Sequence, residues 1–413
     1  MAILLRRFNK NANPQLFKRS KLNLRIKNMN KNQKIIIGII VIIVVVFGYY
    51  AYKKSATPSE TVKEPIKIGG IFALTGLGAS QGEQELKGVQ LAVKEINETG
   101  GILGRPVELV VGDVSLDKLN VAGSVAHKLV DVDNVLAIVG TTWDEPAQAI
   151  LPIIEMAKVP MVGQNQTRML KNGNSFNYFF STWYNNEVGI REILSYAQKK
   201  RLNKVVVIRP IGTGFYQYVS DKISSNAKDF GIEIIKDINL NNPVASDFRT
   251  DLAKIKSKKP DAVIIVLNGF TDCPFLKQAG EILGKVPILS TEGAGDSYAL
   301  SQCPKSMENL YFSYPKEING YTSFAERYNK TFGVNPSTPS VVTAYDALKI
   351  ITKAIELTNG EGGEKLQKVL AKTKNYKGVS LSDISFDDMG FVVTPSDAFE
   401  MKTVKDGEFI KVQ

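Results

Sequence analysis

The sequence predicts a two-lobed α/β protein set behind one membrane-spanning helix. Three observations carry this. An uncharged apolar run occupies 35–52. From Ile66 strand-like and helix-like stretches alternate for about 250 residues, and the alternation starts afresh once. After Tyr314 three helical stretches follow one another with no strand between them.

The first 34 residues contain ten Lys and Arg and no Asp or Glu. The net charge of +11 therefore belongs to this tail, because the remainder holds 42 basic against 41 acidic residues. A nucleic-acid-binding body carries its own basic patch, so no nucleic-acid partner is expected. The run 35–52 is long enough as a helix, at roughly 27 Å, to cross the bilayer core. Tyr49, Tyr50 and Tyr52 stand at one end, as interfacial aromatics do, and the basic tail places the N-terminus inside. A buried core helix and a cleavable signal peptide are the competing readings. The span lacks the small-residue cleavage pattern of a signal peptide, and no Cys follows it closely for lipid attachment. Met29 offers an alternative start with the same topology. Residues 53–65 are polar, with two prolines, and read as a linker.

In the body, apolar runs at 66–74, 107–111, 135–139 and 159–162 read as strands, with helices at 83–97, 119–130 and 146–157 between them. Continuous apolar strands are what a parallel sheet covered on both faces requires, and the alternation predicts a doubly wound layer. The second series places strands at 205–208, 233–240, 262–267, 287–290 and 309–314, and helices at 215–229, 248–256, 274–283 and 296–301. Helices at 321–332, 340–357 and 364–373 then return to cover the first lobe. A β-rich tail closes the chain, with Asp406-Gly407 as a hairpin turn. Several crossings between two lobes make a hinge and a cleft.

Open α/β sheets bind ligands beyond the carboxyl ends of their strands. In the first lobe those places read Leu74-Thr75-Gly76, Thr141-Thr142-Trp143-Asp144 and Gly163-Gln164-Asn165-Gln166-Thr167. Helix capping is an alternative role for the second, with Thr142 and Glu145 as a capping box or Asp144 as the N-cap. In the second lobe they read Gly212-Thr213-Gly214-Phe215-Tyr216, Asn268-Gly269-Phe270 and Thr291-Glu292-Gly293-Ala294-Gly295-Asp296. Glu292, just past a strand, is placed to meet a cation across the cleft; an exposed loop carboxylate is the plain alternative. Enzymatic signatures are sparse. His127 is the only histidine, inside a helical stretch, and there is no phosphate-binding P-loop. Cys273 and Cys303 are the only cysteines and do not make a structural zinc site by themselves. Outside the membrane they are free to pair, and the sequence leaves both states open. No enzyme activity, cofactor or metal is expected.

The run IGGIFALTGLGASQGEQELKGVQLAVKEINETGGILGRPVELVVGD resembles the opening of the branched-chain amino-acid-binding family, the type I periplasmic solute-binding proteins of ABC importers. VGTTWDEPAQAILP, VPMVGQNQT, DAVIIVLNGFTDCPFLKQAG and TEGAGDSYAL extend the resemblance to about 66–413. It implies two doubly wound, Rossmann-like lobes joined by three crossovers, near 180–182, 313–315 and 376–379. The first lobe is then 66–181 with 315–376, and the second 182–314 with 377–413. It implies that Thr167 contacts an amino-acid head group, that Asn165 contributes backbone, and that Glu292 pairs with an ammonium. Three residues depart from the pattern: Asp144 replaces a carboxylate-binding serine, Asn268 an aromatic, and Gln81 a tyrosine, while Phe215 keeps aromatic character. The expected site is Gln81, Trp143, Asp144, Asn165, Gln166, Thr167, Phe215, Asn268 and Glu292. An amide, a more polar amino acid or a cationic amine suits these departures better than leucine. The expected function is capture of a small amino acid, amide or related metabolite by hinge closure, with delivery to ABC permease subunits. A ligand-sensing ectodomain with a signalling partner is the alternative.

The topology is testable. Protease added to intact spheroplasts is expected to degrade 53–413. Protection of that body, or a mature N-terminus beyond Tyr52, would count against the anchor.

Overall fold

The computed structural model describes residues 30–55, 63–165, 176–210, 214–240, 247–267 and 272–412. Helix α1, Lys31–Ser55, contains the expected span and is long and apolar enough to cross a membrane. It forms a unit of its own, and the body begins at Lys63.

The body contains two sheets. The first comprises β1 (Ile66–Phe72), β2 (Val107–Asp113), β3 (Ala137–Gly140), β4 (Met161–Gly163) and β5 (Phe179–Ser181), all parallel, in the order β2-β1-β3-β4-β5. Helix α2 (Ala79–Glu98) follows β1, α3 (Ala122–His127) follows β2, and α4 (Asp144–Ala157) follows β3. Ile66, Ile68, Val139 and Val162 bury themselves with α2 on one face, and Ile71, Ile138 and Met161 with α3 and α4 on the other. The sheet is thus covered on both sides, which is why its strands read as unbroken apolar runs.

The second sheet repeats the plan. Its strands are β6 (Lys204–Pro210), β7 (Glu233–Leu240), β8 (Ala262–Ile265), β9 (Ile288–Ser290), β10 (Leu310–Pro315), β11 (Phe399–Lys405) and β12 (Glu408–Lys411), in the order β12-β11-β10-β9-β8-β6-β7. Five strands are parallel; β11 and β12 add an antiparallel edge. The hairpin turn is Asp406-Gly407, with φ of 53° and 79°, the left-handed pair that a two-residue turn requires. Helices α5 (Asn186–Lys199), α6 (Gly214–Asn226), α7 (Arg249–Ser257), α8 (Asp272–Leu283) and α9 (Ser297–Gln302) complete this half.

The three helices after β10 return to the first sheet as expected: α10 (Tyr321–Phe332), α11 (Pro339–Leu357) and α12 (Gly363–Ala371). Helix α11 is buried nearly all round and lies against α2.

The structure alters three expectations. The stretch 119–130 is not one helix: a 3-10 segment at Leu116–Val121, α3 and a π turn at Lys128–Val132 share it. Asp117 and Lys118 in that segment are drawn to the loop after β1, where Asp117 accepts from Leu77 N at 3.1 Å and Lys118 donates to Thr75 Oγ1 at 2.9 Å. Strand β5 and helix α5 had no counterpart in the predicted elements. The chain crosses to the second sheet after β5 and back after β10. It does not cross again at 376–379, because Tyr376 pairs with Ile384 and Phe391 with Ser181. Phe386 and Val392 sit in the core of the first half, and the chain rejoins the second sheet at Phe399.

Cys273, on α8, and Cys303, just after α9, form a disulfide with Cα atoms 5.7 Å apart. The pair spans a sequence separation of 30 that contains β9 and Glu292. Closing such a loop restricts the unfolded chain by about 3.5 kcal/mol. Replacing both cysteines by serine is therefore expected to lower the urea midpoint of the ligand-free protein by a corresponding amount. An unchanged midpoint would show that the bond does not stabilise the fold.

Candidate functional site

Both parallel sheets reverse strand order beside their first strand, between β1 and β3 and between β6 and β8. Such a reversal opens a crevice at the carboxyl ends of the strands. The residues that bound one cavity come from those ends. Gln81 and Trp143 follow β1 and β3; Phe215, Leu267 and Glu292 follow β6, β8 and β9. Trp183, in the crossing after β5, and Thr338–Ser340, at the start of α11, complete the wall together with Tyr216, Gly293 and Asp296. The enclosed space is small, about 50 Å³. Larger hollows lie along β7 and α7 and beneath 372–377, away from this convergence of polar groups.

Local packing sets the wall. Gly78 has φ 94° and its missing Cβ would lie 2.4 Å from Trp143 Nε1, so only glycine admits the indole. Gly295 plays the same part for the turn that carries Glu292: a Cβ there would lie 2.5 Å from the Tyr314 ring. Neither capping reading of the Thr142–Glu145 segment holds. The N-cap of α4 is Trp143, in extended backbone and with no side-chain cap bond. Thr142 Oγ1 instead accepts from Ala73 N at 3.0 Å, tying β1 to the turn after β3. Asp144 is the first residue of α4, buried, and is not part of the cavity wall. Thr75 turns away as well, held by Asp113 through Oγ1 and backbone N.

Of the nine expected site residues, Gln81, Trp143, Phe215 and Glu292 meet at the cavity. Asn165 braces it from behind: its Nδ2 donates to Thr141 Oγ1 and Trp143 O, both at 3.0 Å, and its carbonyl accepts from Ser181 Oγ. Gln166, Thr167 and Asn268 lie outside the described residues. His127 is exposed and paired with Asp131 on the surface. Tyr216 and Asp296 stand in loops named from the sequence but were not among the expected site residues, and Trp183 and Ser340 were not named at all. Trp183 follows β5, which had no counterpart among the strands expected from the sequence, and Ser340 reaches the site only because α11 returns to the first half.

The electrostatics are one-sided. The described part of the wall holds two carboxylates, Glu292 and Asp296, and four aromatic rings, with no Lys, Arg or His. Glu292 is 4% exposed and accepts from Asn186 Nδ2 at 3.2 Å. Burial pushes its carboxyl up to about 7, since desolvation penalises the charged form. Glu145, on α4, takes a hydrogen bond from the backbone of Gly214, which opens α6 in the other half. Several buried polar atoms have no hydrogen-bond partner, among them Trp183 Nε1, Asn186 Oδ1 and Thr291 Oγ1. Buried polar groups are normally satisfied; of these, Trp183 lines the cavity, Asn186 bonds Glu292 and Thr291 precedes it.

The comparisons with known proteins agree with this geometry. The family described as periplasmic binding protein matches residues 65–408. The chain belongs to that family. Family members with similar sequences include Leu/Ile/Val-binding protein homolog 7 of Brucella suis, 24% identical over 74% of this chain and 80% of that protein. Homolog 8 of the same organism is 27% identical over 77% of this chain and 82% of that protein. Among solved structures, the branched-chain amino acid substrate-binding protein LivJ from Streptococcus pneumoniae, in complex with isoleucine, is 26% identical. It superposes with a TM-score of 0.75 over 84% of this chain and 97% of its own. A solute-binding protein from Rhodopseudomonas palustris BisB5, in complex with 3,4-dihydroxybenzoic acid, shares the fold at 21% identity, with a TM-score of 0.74 over 84% of this chain and 96% of its own. The fold is the type I periplasmic binding protein fold, and the family binds solutes rather than transforming them.

Glu292 links the site to pH. Its folded value lies above its unfolded one, so folding favours the protonated form. That contribution is full below about 4.5 and is lost as pH rises through about 7. The ligand-free protein is expected to lose on the order of 3 kcal/mol across this range through Glu292, and Glu292→Gln should flatten that slope in urea titrations. An equal slope in the variant would mean that Glu292 is not the titrating group.

Proposed function

We propose that this is a membrane-anchored solute-binding subunit that captures a small amino acid or amino-acid amide and presents it to an ABC permease. One observation carries the ligand class: a cavity wall of four aromatic rings and two carboxylates, with no cationic side chain among its described residues. An ammonium gains from each part of such a wall, because rings attract cations through their faces and a buried carboxylate needs a positive partner. Glu292 is the counter-charge. The Trp183 indole N–H and the N-terminus of α11 at Ser340 supply donors for a carbonyl or carboxylate at the other end of the ligand. Asp144, set behind the wall, does not oppose that carboxylate directly. The isoleucine complex of LivJ and the names of the Brucella relatives support the same class. The basic tail and α1 support anchoring with the body outside the cytoplasm, and the family supports the importer role. Mechanism follows from the two halves. The first holds the ligand, the second closes with Glu292 and Phe215, and the closed form docks on the permease.

Calorimetric titration with L-leucine, L-leucinamide, isopentylamine, 4-methylpentanoate and benzoate tests this. Leucine and leucinamide are expected to bind, isopentylamine more weakly, and the two acids without an ammonium not at all. Glu292→Ala should weaken the best of these roughly thirtyfold or more. Tighter binding of either ammonium-free acid would overturn the assignment.

A further inference from the structure

The carboxyl group of Glu85 lies outside the cavity wall yet controls part of it. Glu85 is fully buried on α2, one helical turn beyond Gln81, and the two side chains face the same way. Gln81 Nε2 donates to Glu85 Oε1 at 3.0 Å. Gln81 also lines the cavity, whereas Glu85 does not. The other side chains that act on Glu85 come from three further elements: Thr142 from the turn before α4, Gln164 from the loop after β4, and Ser340 from α11. All are neutral, and no charge acts on Glu85 from any of them.

A carboxylate can only accept, whereas an amide has a donor end and an acceptor end. While Glu85 is ionised it must take the NH2 end of Gln81, and the amide carbonyl is left for the cavity. If Glu85 takes a proton it becomes a donor, and the amide gains by turning round, so that its NH2 faces the cavity. We propose that Glu85 is a positioning residue that sets which end of the Gln81 amide faces the ligand, and that in its ionised form it makes this wall an acceptor for a ligand N–H. Gln81 and Glu292, from the two halves of the molecule, then form a pair of acceptors for one ammonium. This rests on the ammonium reading given above and adds a second residue that selects for it. A freely rotating amide would discriminate poorly between donors and acceptors, and the buried carboxylate removes that ambiguity.

Two measurements on the full-length protein test the proposal. The first uses binding of L-leucine and isopentylamine to wild type, Glu85→Gln, Gln81→Leu and the double variant. Glu85→Gln should weaken both probes about tenfold, the scale of one misdirected hydrogen bond. In the Gln81→Leu background the same change should have almost no effect, because Glu85 acts through Gln81. An equal loss in both backgrounds overturns the proposal. Benzoate and 4-methylpentanoate, run alongside, keep the two ideas apart. If they bind tightly and the amines do not, the ammonium reading fails; if the amines bind but the cycle shows no coupling, only the role of Glu85 fails. The second measurement needs no ligand. Carbon-13 NMR of the Glu85 carboxyl should give a higher titration midpoint in Gln81→Leu than in wild type, because the lost N–H favoured the charged form. A midpoint that does not move overturns the pairing on which the proposal stands.

Discussion

The interior strands of a parallel sheet buried on both faces satisfy their backbone along their length and leave it open where they stop, and the constraint governs this molecule twice. Both sheets place their early strands in the same spatial order, β2-β1-β3 and β7-β6-β8, and so open a crevice at the same relative position. Every strand end that bounds a crevice must hand its chain to a helix or a turn, and the side chains at those hand-over points are the ones left free to meet a solute. Gln81, Trp143, Phe215 and Glu292 are all such residues. Their types are chemically varied because their backbone positions, not their side chains, are what the sheet dictates.

The buried carboxylates divide according to how fully they are paired. Asp346, on α11, accepts from the backbone of Val379 and Ser380 and from Ser380 Oγ at 2.6 Å. Burial alone would push its carboxyl up, and despite these bonds it remains raised to about 6. It pins the 376–380 segment to the first half, which explains why the chain does not cross there. Glu85 and Glu292 are different. Glu85 is held by neutral side chains alone, those of Gln81, Thr142, Ser340 and Gln164, and Glu292 takes a side-chain hydrogen bond from Asn186. A carboxylate held in that condition costs stability, and a solute with N–H donors offsets the cost. Asp346 and Glu85 are held by the protein's own donors, and Glu292, on the cavity wall, is the acid left for a solute to complete.

Much of the body was legible in the sequence because a sheet buried on both faces leaves a strong local imprint. The strand at 233–240 and the helix at 321–332 fall where the apolar pattern puts them. Strand β5 was not marked from the sequence, although β4 and β9, equally short, were; it carries the crossing on which Trp183 is mounted. The stretch 119–130 kept a helical pattern, but it opens inside a 3-10 segment whose Asp117 and Lys118 are bound to the loop after β1. The turn chemistry at Asp406-Gly407 was readable, since a two-residue hairpin demands positive φ at both positions.

For the site the division is sharper. Trp143, Phe215 and Glu292 stand just past strands and could be named from the sequence, whereas Gln81, inside α2, was named only through the family resemblance. Their depth could not be read from the sequence, because burial depends on what the rest of the chain lays over them. The burial of Glu292 is a product of the turn closed by Gly295 against Tyr314, and the disulfide that brackets it joins residues 30 apart. Ser340 and Trp183 reach the cavity through chain crossings that no local pattern records. By itself the sequence determined the alternation of strands and helices, the apolar span with its basic flank, and the loops from which a site would be drawn. Only the tertiary structure decided which side chains converge, which acids lose their water, and that Glu85 stands behind Gln81. Periodicity is a property of neighbours along the chain, whereas desolvation is a property of neighbours in space.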